Sequence, residues 1–291
     1  MIMSDLTFDL ARPDLDQRFT GADFVRLSQL FYERTGVSFG ANKRYFVDKR
    51  VLACMAEYGT DSFATYFSAL RLGLEVGVFQ RLVNALSVNE TYFLREDYQY
   101  ESLLRHVLPA VTSQGPAGRP VRILSLPCST GDESYSIALT LLENWRDIDE
   151  HDVEIVGADI DTDALEAAQR GLYGPRAVQR LPRSVLENYF TETPEGRFQL
   201  DASLLDAVRF MQVNLTEAAS VQRLRSFDVI FCRNLLIYFD ELSSRIAAQN
   251  LFDMLRPGGF LFLGHAESMS RISNIFIPRR FDAGVIYQKP L

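Results

Sequence analysis

Apolar residues recur at helical spacing through the first hundred positions of the chain, so this stretch reads as helices alone. Thr20-Gly21-Ala22-Asp23 opens the first helix as a capping box, with Phe24, Leu27, Leu30 and Phe31 on one stripe and Gly36 closing it. Asn42 opens a second, Val47, Val51, Cys54, Met55 and Tyr58 form its apolar stripe, and Gly59 ends it. Phe63, Tyr66, Phe67 and Leu70 mark a third helix; Val78, Phe79, Leu82, Val83 and Leu86 mark a fourth. The pattern predicts a helical domain over residues 1–87.

Beyond the breaker-rich loop Gln114-Gly115-Pro116-Ala117-Gly118-Arg119-Pro120, short apolar runs alternate with helical periods, as in a layered α/β domain. Val121 to Leu126 reads as a strand, Glu133 to Trp145 as a helix, Val153 to Ala158 as a strand and Asp163 to Arg170 as a helix. Val208 to Val213, Phe227 to Cys232 and Phe260 to Gly264 are further strands. Arg256-Pro257-Gly258-Gly259 stops a helix of Leu242 to Leu255 and turns into the last of them. Gly171 to Asp206 breaks the alternation: it is polar, carries Pro175, Pro182 and Pro194, and offers short strands only near Asn188 to Thr191 and Arg197 to Leu200. It reads as an inserted subdomain of an α/β domain spanning 88–291. Val285 to Gln288 reads as an antiparallel strand paired with one near Ile275 to Phe281.

Composition narrows the function classes. With 291 residues, 47% of them hydrophobic, the chain can bury a sizeable core. No apolar run reaches the roughly 20 residues that span a bilayer. Met1 to Asp16 is acidic and broken by Pro13, unlike a signal peptide, so a cytoplasmic location is expected. Cys54, Cys128 and Cys232 are widely spaced, which suggests buried thiols rather than disulfides or a zinc site. A net charge of −8 speaks against nucleic acid as the main partner.

Candidate chemistry gathers at predicted strand ends. Leu126-Pro127-Cys128-Ser129-Thr130-Gly131 joins a strand to a helix N-terminus, where nucleotide-like ligands sit. A dinucleotide fold would want G-x-G-x-x-G; this turn has one glycine and suits a ligand without phosphates, such as S-adenosylmethionine. A plain turn with no ligand is the competing reading. Asp159 directly follows its strand and is placed to accept ribose hydroxyls, whereas Asp161 and Asp163 are explained as helix caps. Three carboxylates in this D-x-D-x-D run resemble the start of an EF-hand, but the glycine and closing glutamate are missing, and no metal is expected. Asp132 and Glu133 open the next helix, where its dipole favours them with or without a ligand. Arg233, Asn234 and Tyr238 follow another strand, either as site residues or as turn-forming ones. Arg95 is either a solvated helix-start residue or the bidentate partner of a substrate carboxylate.

Five ordered strings resemble the CheR-type chemoreceptor methyltransferases over nearly the whole chain. They are Asn89-Glu90-Thr91-Tyr92-Phe93-Leu94-Arg95-Glu96, Ser129-Thr130-Gly131-Asp132-Glu133-Ser134-Tyr135-Ser136, Gly157-Ala158-Asp159-Ile160-Asp161, Phe231 to Asp240, and Gly264-His265-Ala266-Glu267-Ser268. The resemblance implies a class I S-adenosylmethionine-dependent methyltransferase fold, a doubly wound α/β sheet, with an all-helical N-terminal domain and a small inserted β-subdomain at about 171–206. It implies methyl transfer from S-adenosylmethionine to glutamates on the cytoplasmic helices of a methyl-accepting chemoreceptor, with S-adenosylhomocysteine as product. By motif position, Asn89, Thr91, Arg95, Glu133, Asp159, Asn214, Leu215, Arg233 and Asn234 would contact the cofactor, Glu133 at its ammonium and Asp159 at its ribose. Arg95 and Tyr238 would be the catalytic neighbours of the methyl group, and His265 structural.

Two departures stand out. Asp132-Glu133-Ser134 replaces the family's Glu-Glu-Pro, keeping both carboxylates. In enteric members the second N-terminal helix is arginine-rich and meets acidic receptor helices; here only Lys43, Arg44, Lys49 and Arg50 are basic, so the receptor is expected to differ. A receptor C-terminal tail is a further expected partner, through the inserted subdomain, and a monomer is the expected state. The rival from another class is a regulatory partner-binding protein on a methyltransferase scaffold. A nicotinamide-dependent oxidoreductase is disfavoured by the single-glycine turn and the lack of a proton donor near it.

Overall fold

The predicted capping box forms: Thr20 Oγ1 accepts from the Asp23 N–H at 3.2 Å while the Asp23 carboxylate accepts from the Thr20 N–H at 3.1 Å. It starts α1 (Gly21–Thr35) in a computed structural model that describes residues 18–73, 75–114, 118–281 and 284–291. The expectation drawn from Met1 to Asp16 lies outside the described residues, as do positions 115–117 of the breaker loop. α2 (Arg44–Tyr58) lacks the Asn42 cap that the sequence suggests, because a tight turn, Ala41–Lys43, runs directly into it. Gly59, at φ 82°, ends α2 as expected. Ser62 caps α3 (Phe63–Leu72) by accepting from the Thr65 N–H, and α4 (Val78–Leu86) follows. Val51, Met55, Leu70 and Leu82 are fully buried, so the predicted stripes are the ones that leave water. On α2, Arg44 pairs with Asp48 at 3.3 Å and the Arg50 guanidinium lies 3.6 Å from the centre of the Phe46 ring.

The chain forms two compact units, one running to Arg34 and then over Ser38–Leu86, the other made of Thr35–Val37 and Ser87–Leu291. Within the second unit, Val37 makes an isolated antiparallel bridge to Phe239. A helix that the sequence reading did not identify follows: α5 (Tyr98–Ser102) continues through a π-turn, Leu103–Val107, into α6 (Leu108–Gln114).

Then comes β1 (Val121–Ser125), α7 (Asp132–Asn144), β2 (Val153–Asp159) and α8 (Thr162–Arg170), within a residue or two of expectation. The insertion holds β3 (Leu172–Tyr173), α9 (Pro175–Val178), α10 (Arg183–Tyr189), β4 (Phe190–Glu192), β5 (Phe198–Leu200) and α11 (Ala202–Asp206). Its strands form a separate antiparallel sheet ordered β3-β5-β4. The predicted strand at Asn188 starts instead at Phe190, because α10 runs to Tyr189. The chain closes with β6 (Val208–Gln212), α12 (Ala218–Val221), β7 (Phe227–Cys232), α13 (Glu241–Met254), β8 (Leu255–Leu263), β9 (Ile277–Phe281) and β10 (Gly284–Gln288). β8 begins earlier than predicted, since Arg256-Pro257-Gly258-Gly259 forms a bulge within the strand rather than a turn before it.

The main sheet is ordered β6-β2-β1-β7-β8-β10-β9, parallel from β6 to β8, with β10 and β9 antiparallel. Both faces are covered, so Ile123 and Leu124, adjacent on β1, join opposite hydrophobic clusters. From β1 the chain steps to β2 on one side and later to β7 on the other. That reversal opens a crevice beyond the carboxyl end of β1, where open α/β sheets bind ligands. Among the described residues no helix is long and apolar enough to cross a membrane.

Candidate active site

The turn leaving β1 contains a cis Leu126–Pro127 peptide, then Ser129 at φ 48° and Gly131 at φ 87°. A Cβ at position 131 would stand 2.9 Å from Ala168 Cβ on α8 and 3.0 Å from Tyr135 Cε2, so glycine is required for both conformation and packing. The turn delivers Glu133 into the first turn of α7, beside the carboxyl end of β1. Its Oε1 accepts from Ser125 Oγ at 2.8 Å and its Oε2 from Arg233 Nη1 at 2.9 Å. Burial raises the Glu133 pKa, and Arg233 opposes the rise.

Asp159 ends β2. Its Oδ2 accepts from the Ser129 N–H at 2.7 Å and its Oδ1 from the Asp161 N–H at 3.0 Å. Burial pushes its pKa up to about 6 against these hydrogen bonds. Asp161 caps α8, accepting from the N–H groups of Asp163 and Ala164, as the sequence predicts for that residue. Asp163 lies in the first turn of the helix instead of capping it. Asn89 joins this corner, donating to Asp161 Oδ2 at 2.7 Å and accepting from Ser129 Oγ at 3.0 Å.

The segment carrying Asn89, half-buried Thr91 and Arg95 is pinned by buried Phe93, whose ring meets Tyr173 and Phe190 edge-on at 4.8 and 5.4 Å. The Leu94 N–H donates to Ser136 Oγ at 2.9 Å, and the Arg95 side chain donates to the Glu90 carbonyl at 2.6 Å.

Arg233 lies deeper than the motif suggests. Its guanidinium serves Glu133, Glu96 at 3.3 Å and the Arg95 carbonyl at 2.6 Å. The side chain therefore braces Glu133 from a buried position. Asn234 takes φ 59°, and its N–H donates to Glu267 Oε2 at 2.8 Å. Glu267 also accepts from the N–H groups of Gly264 and Leu236, fixing the turn that carries Tyr238. Burial raises the Tyr238 pKa while Arg95 opposes it, so the phenol stays protonated at neutral pH close to a cation.

Asn214 and Leu215 follow β6. Asn214 Oδ1 accepts from the Thr216 N–H and hydroxyl, and Leu215 is buried with its carbonyl held by Asn250. The N–H of neighbouring Val213 donates to the Asp159 carbonyl at 2.8 Å, tying this segment to the end of β2. Hydrogen bonds thus gather the predicted residues into two corners, Asn89 with the Asp159 loop, and Glu133 with Arg233 and the backbone of Arg95. Glu96 and Glu267 were absent from the predicted site although both stood inside the recognised strings.

The donor set suits S-adenosylmethionine. Glu133 has two hydrogen bonds engaged here and Asp159 three, counting the backbone of Ile160, and a carboxylate offers about four lone-pair sites. The remaining sites can take an ammonium at Glu133 and a ribose hydroxyl at Asp159. Among the described residues no cluster of His, Cys, Asp and Glu could hold a metal ion.

The family model "CheR methyltransferase, SAM binding domain" matches residues 89–285, and "CheR methyltransferase, all-alpha domain" matches residues 22–87. The chain is 48% identical to chemotaxis protein methyltransferase 2 of Vibrio cholerae, covering 93% of this chain and 94% of that protein. It is 34% identical to chemotaxis protein methyltransferase 2 of Pseudomonas aeruginosa, over 88% and 90% of the two chains. It is 33% identical to the chemotaxis protein methyltransferase of Escherichia coli, over 89% and 88%. With both family models matched in order and a relative this similar over nearly its whole length, the chain belongs to the CheR methyltransferase family, an S-adenosylmethionine-dependent class of enzymes.

Proposed function

We propose that this enzyme esterifies glutamate side chains on the cytoplasmic helices of a methyl-accepting chemoreceptor. The observation that carries the reading is that Arg95, whose carbonyl is held by the arginine that pairs with Glu133, acts electrostatically on the neutral Tyr238 phenol. The curated relatives are named as chemotaxis methyltransferases, which fits a chemoreceptor substrate. Bound S-adenosylmethionine supplies a methyl group activated on a sulfonium. Glu133 holds its ammonium and Asp159 its ribose, with Asn89, Thr91, Arg95, Asn214, Leu215, Arg233 and Asn234 lining the rest.

Little proton chemistry is asked of the protein. The acceptor glutamate, with a pKa of about 4.3, is already ionised at neutral pH, so no general base is needed. Arg95 pairs with that carboxylate and Tyr238 donates to it, aligning an oxygen for in-line attack and excluding water. In this reading the reaction takes place in the cytoplasm, the enzyme acts as a monomer, and the inserted β3-β5-β4 sheet receives a receptor tail.

The test is transfer of tritiated methyl groups to membranes carrying candidate receptors, followed by mild base. Release of labelled methanol is expected, since methyl esters hydrolyse there. Label that survives the base would overturn the ester assignment.

A further inference from the structure

Glu96, Arg233 and Glu133 form a buried line of charges, with side chains 10%, 2% and 11% exposed. Every oxygen of both carboxylates has a polar partner within hydrogen-bond distance. Glu133 accepts from Ser125 and Arg233. Glu96 Oε2 accepts from Tyr98 and Gln99 and faces Arg233, while its Oε1 faces His265 Nδ1 at 2.9 Å. Arg233 lies within ion-pair distance of both glutamates and favours the anionic form of each. Arg233 keeps its charge in any protein setting. Two anions and one cation leave this buried line with a net charge of −1. His265 is 67% exposed and sits at the solvent end, so any charge on it is screened.

An unbalanced buried charge is costly until a partner arrives. We infer that Glu96 is a positioning residue for the cofactor: by taking up the charge of Arg233 from behind, it leaves Glu133 one positive charge short, and the ammonium of S-adenosylmethionine makes good the deficit. Without Glu96, Arg233 neutralises Glu133 and the line has no need of a further cation. His265 completes the arrangement by donating Nδ1–H to Glu96, which keeps that carboxylate facing Arg233.

The inference rests on the reading that Glu133 meets the ammonium, and the test separates the two. Calorimetry on the full chain compares two ligands, S-adenosylhomocysteine and 5′-methylthioadenosine. The second keeps the nucleoside and thioether but lacks the amino-acid portion. Glu96→Gln preserves shape and removes the charge, and should weaken S-adenosylhomocysteine binding on the order of tenfold while leaving 5′-methylthioadenosine unchanged. His265→Ala should weaken the same ligand by a smaller factor, and His265→Asn, whose amide can replace the Nδ1–H donor, should restore it.

Equal weakening of both ligands by Glu96→Gln would mean a general packing role and overturn the inference. Unchanged S-adenosylhomocysteine binding in Glu96→Gln, with strong weakening in Glu133→Gln, would overturn the inference and leave the Glu133 assignment standing. Unchanged binding in Glu133→Gln would overturn both. In the double variant, the effect of Glu96→Gln should vanish, because no anion remains at position 133 for it to leave unbalanced.

Discussion

Replacing Glu267 by Gln removes one oxygen and a charge, and the structure makes that change severe. Oε2 accepts from the N–H groups of Asn234 and Gly264, each at 2.8 Å, and Oε1 from that of Leu236 at 2.7 Å. An amide has one acceptor oxygen. Turned either way, its NH2 group faces a backbone N–H, so at least one hydrogen bond is replaced by a repulsive donor–donor contact and the rest lose their charge. Hydrogen bonds to a charged group contribute about 1.5–3 kcal/mol each, so a loss of about 3 kcal/mol is expected for this half-buried site. No rotation of Asn234 relieves it, because a Cβ at Gly264 would already stand 2.7 Å from Asn234 Nδ2, which shows how closely the two segments pack. Urea unfolding can be followed by the fluorescence of Trp145, the single tryptophan, which is buried in the same unit. Methyl transfer should fall further than stability, since the loosened turn carries Tyr238. A Glu267→Gln protein within 1 kcal/mol of the parent would refute the reasoning.

Gly157→Ala would set a methyl group 2.4 Å from Phe210 Cε1 and 2.9 Å from Ser134 Oγ, so calorimetry should record a destabilisation of about 1–3 kcal/mol; an unchanged melting temperature would count against the packing. Asp159, with its folded pKa pushed up to about 6, should bind S-adenosylhomocysteine with constant affinity above pH 6 and about tenfold more weakly per pH unit well below it. The same raised carboxyl makes the folded, ligand-free protein bind more protons than the unfolded chain between about pH 4 and 6, so its contribution to stability is lost as pH rises through that window. A flat binding profile from pH 5 to 7 would refute the Asp159 role. Tyr238→Phe should lower kcat about ten- to a hundredfold with S-adenosylhomocysteine affinity unchanged, and weakened affinity would move Tyr238 from the acceptor to the cofactor side.

The fold was legible wherever burial imposed a clean periodic or continuous apolar run. β7, buried at every position, was read to the residue, and β1, β2, α7 and α8 to within one or two. The miss at Tyr98–Gln114 has a physical cause. Tyr100, Leu103, Val107, Leu108 and Val111 are buried along it, but the π-turn at Leu103–Val107 shifts the stripe and Pro109 reads as a break. β3 is two residues long, too short to alternate, and exists because Leu172 and Tyr173 pair with Gln199 and Phe198. The bulge at Arg256 to Gly259 was read as a turn because Pro-Gly-Gly has the same chemistry in either setting; pairing of Leu255 with Phe227 decides it.

The site shows the same division between what neighbours in sequence dictate and what only the fold brings together. Asp159 was identifiable because its proposed role follows from position at a strand end, a property carried by a few adjacent residues, whereas Glu133 opens a helix and its proposed role came from the family resemblance. Arg233 also stands at a strand end, and by that rule it belongs in the ligand shell. Its side-chain partners are Glu133, a hundred residues earlier, and Glu96 and the Arg95 carbonyl beside α5, an element the sequence did not disclose. Without that helix there was nothing to draw the cation inward, and an arginine read alone looks free to meet a ligand. Once the three are joined, the cation is seen to support Glu133 from a buried position. The charge pattern of this line, two buried carboxylates on one guanidinium, is therefore a property of the tertiary structure, and under the proposed function it leaves Glu133 available to the ammonium group of the cofactor.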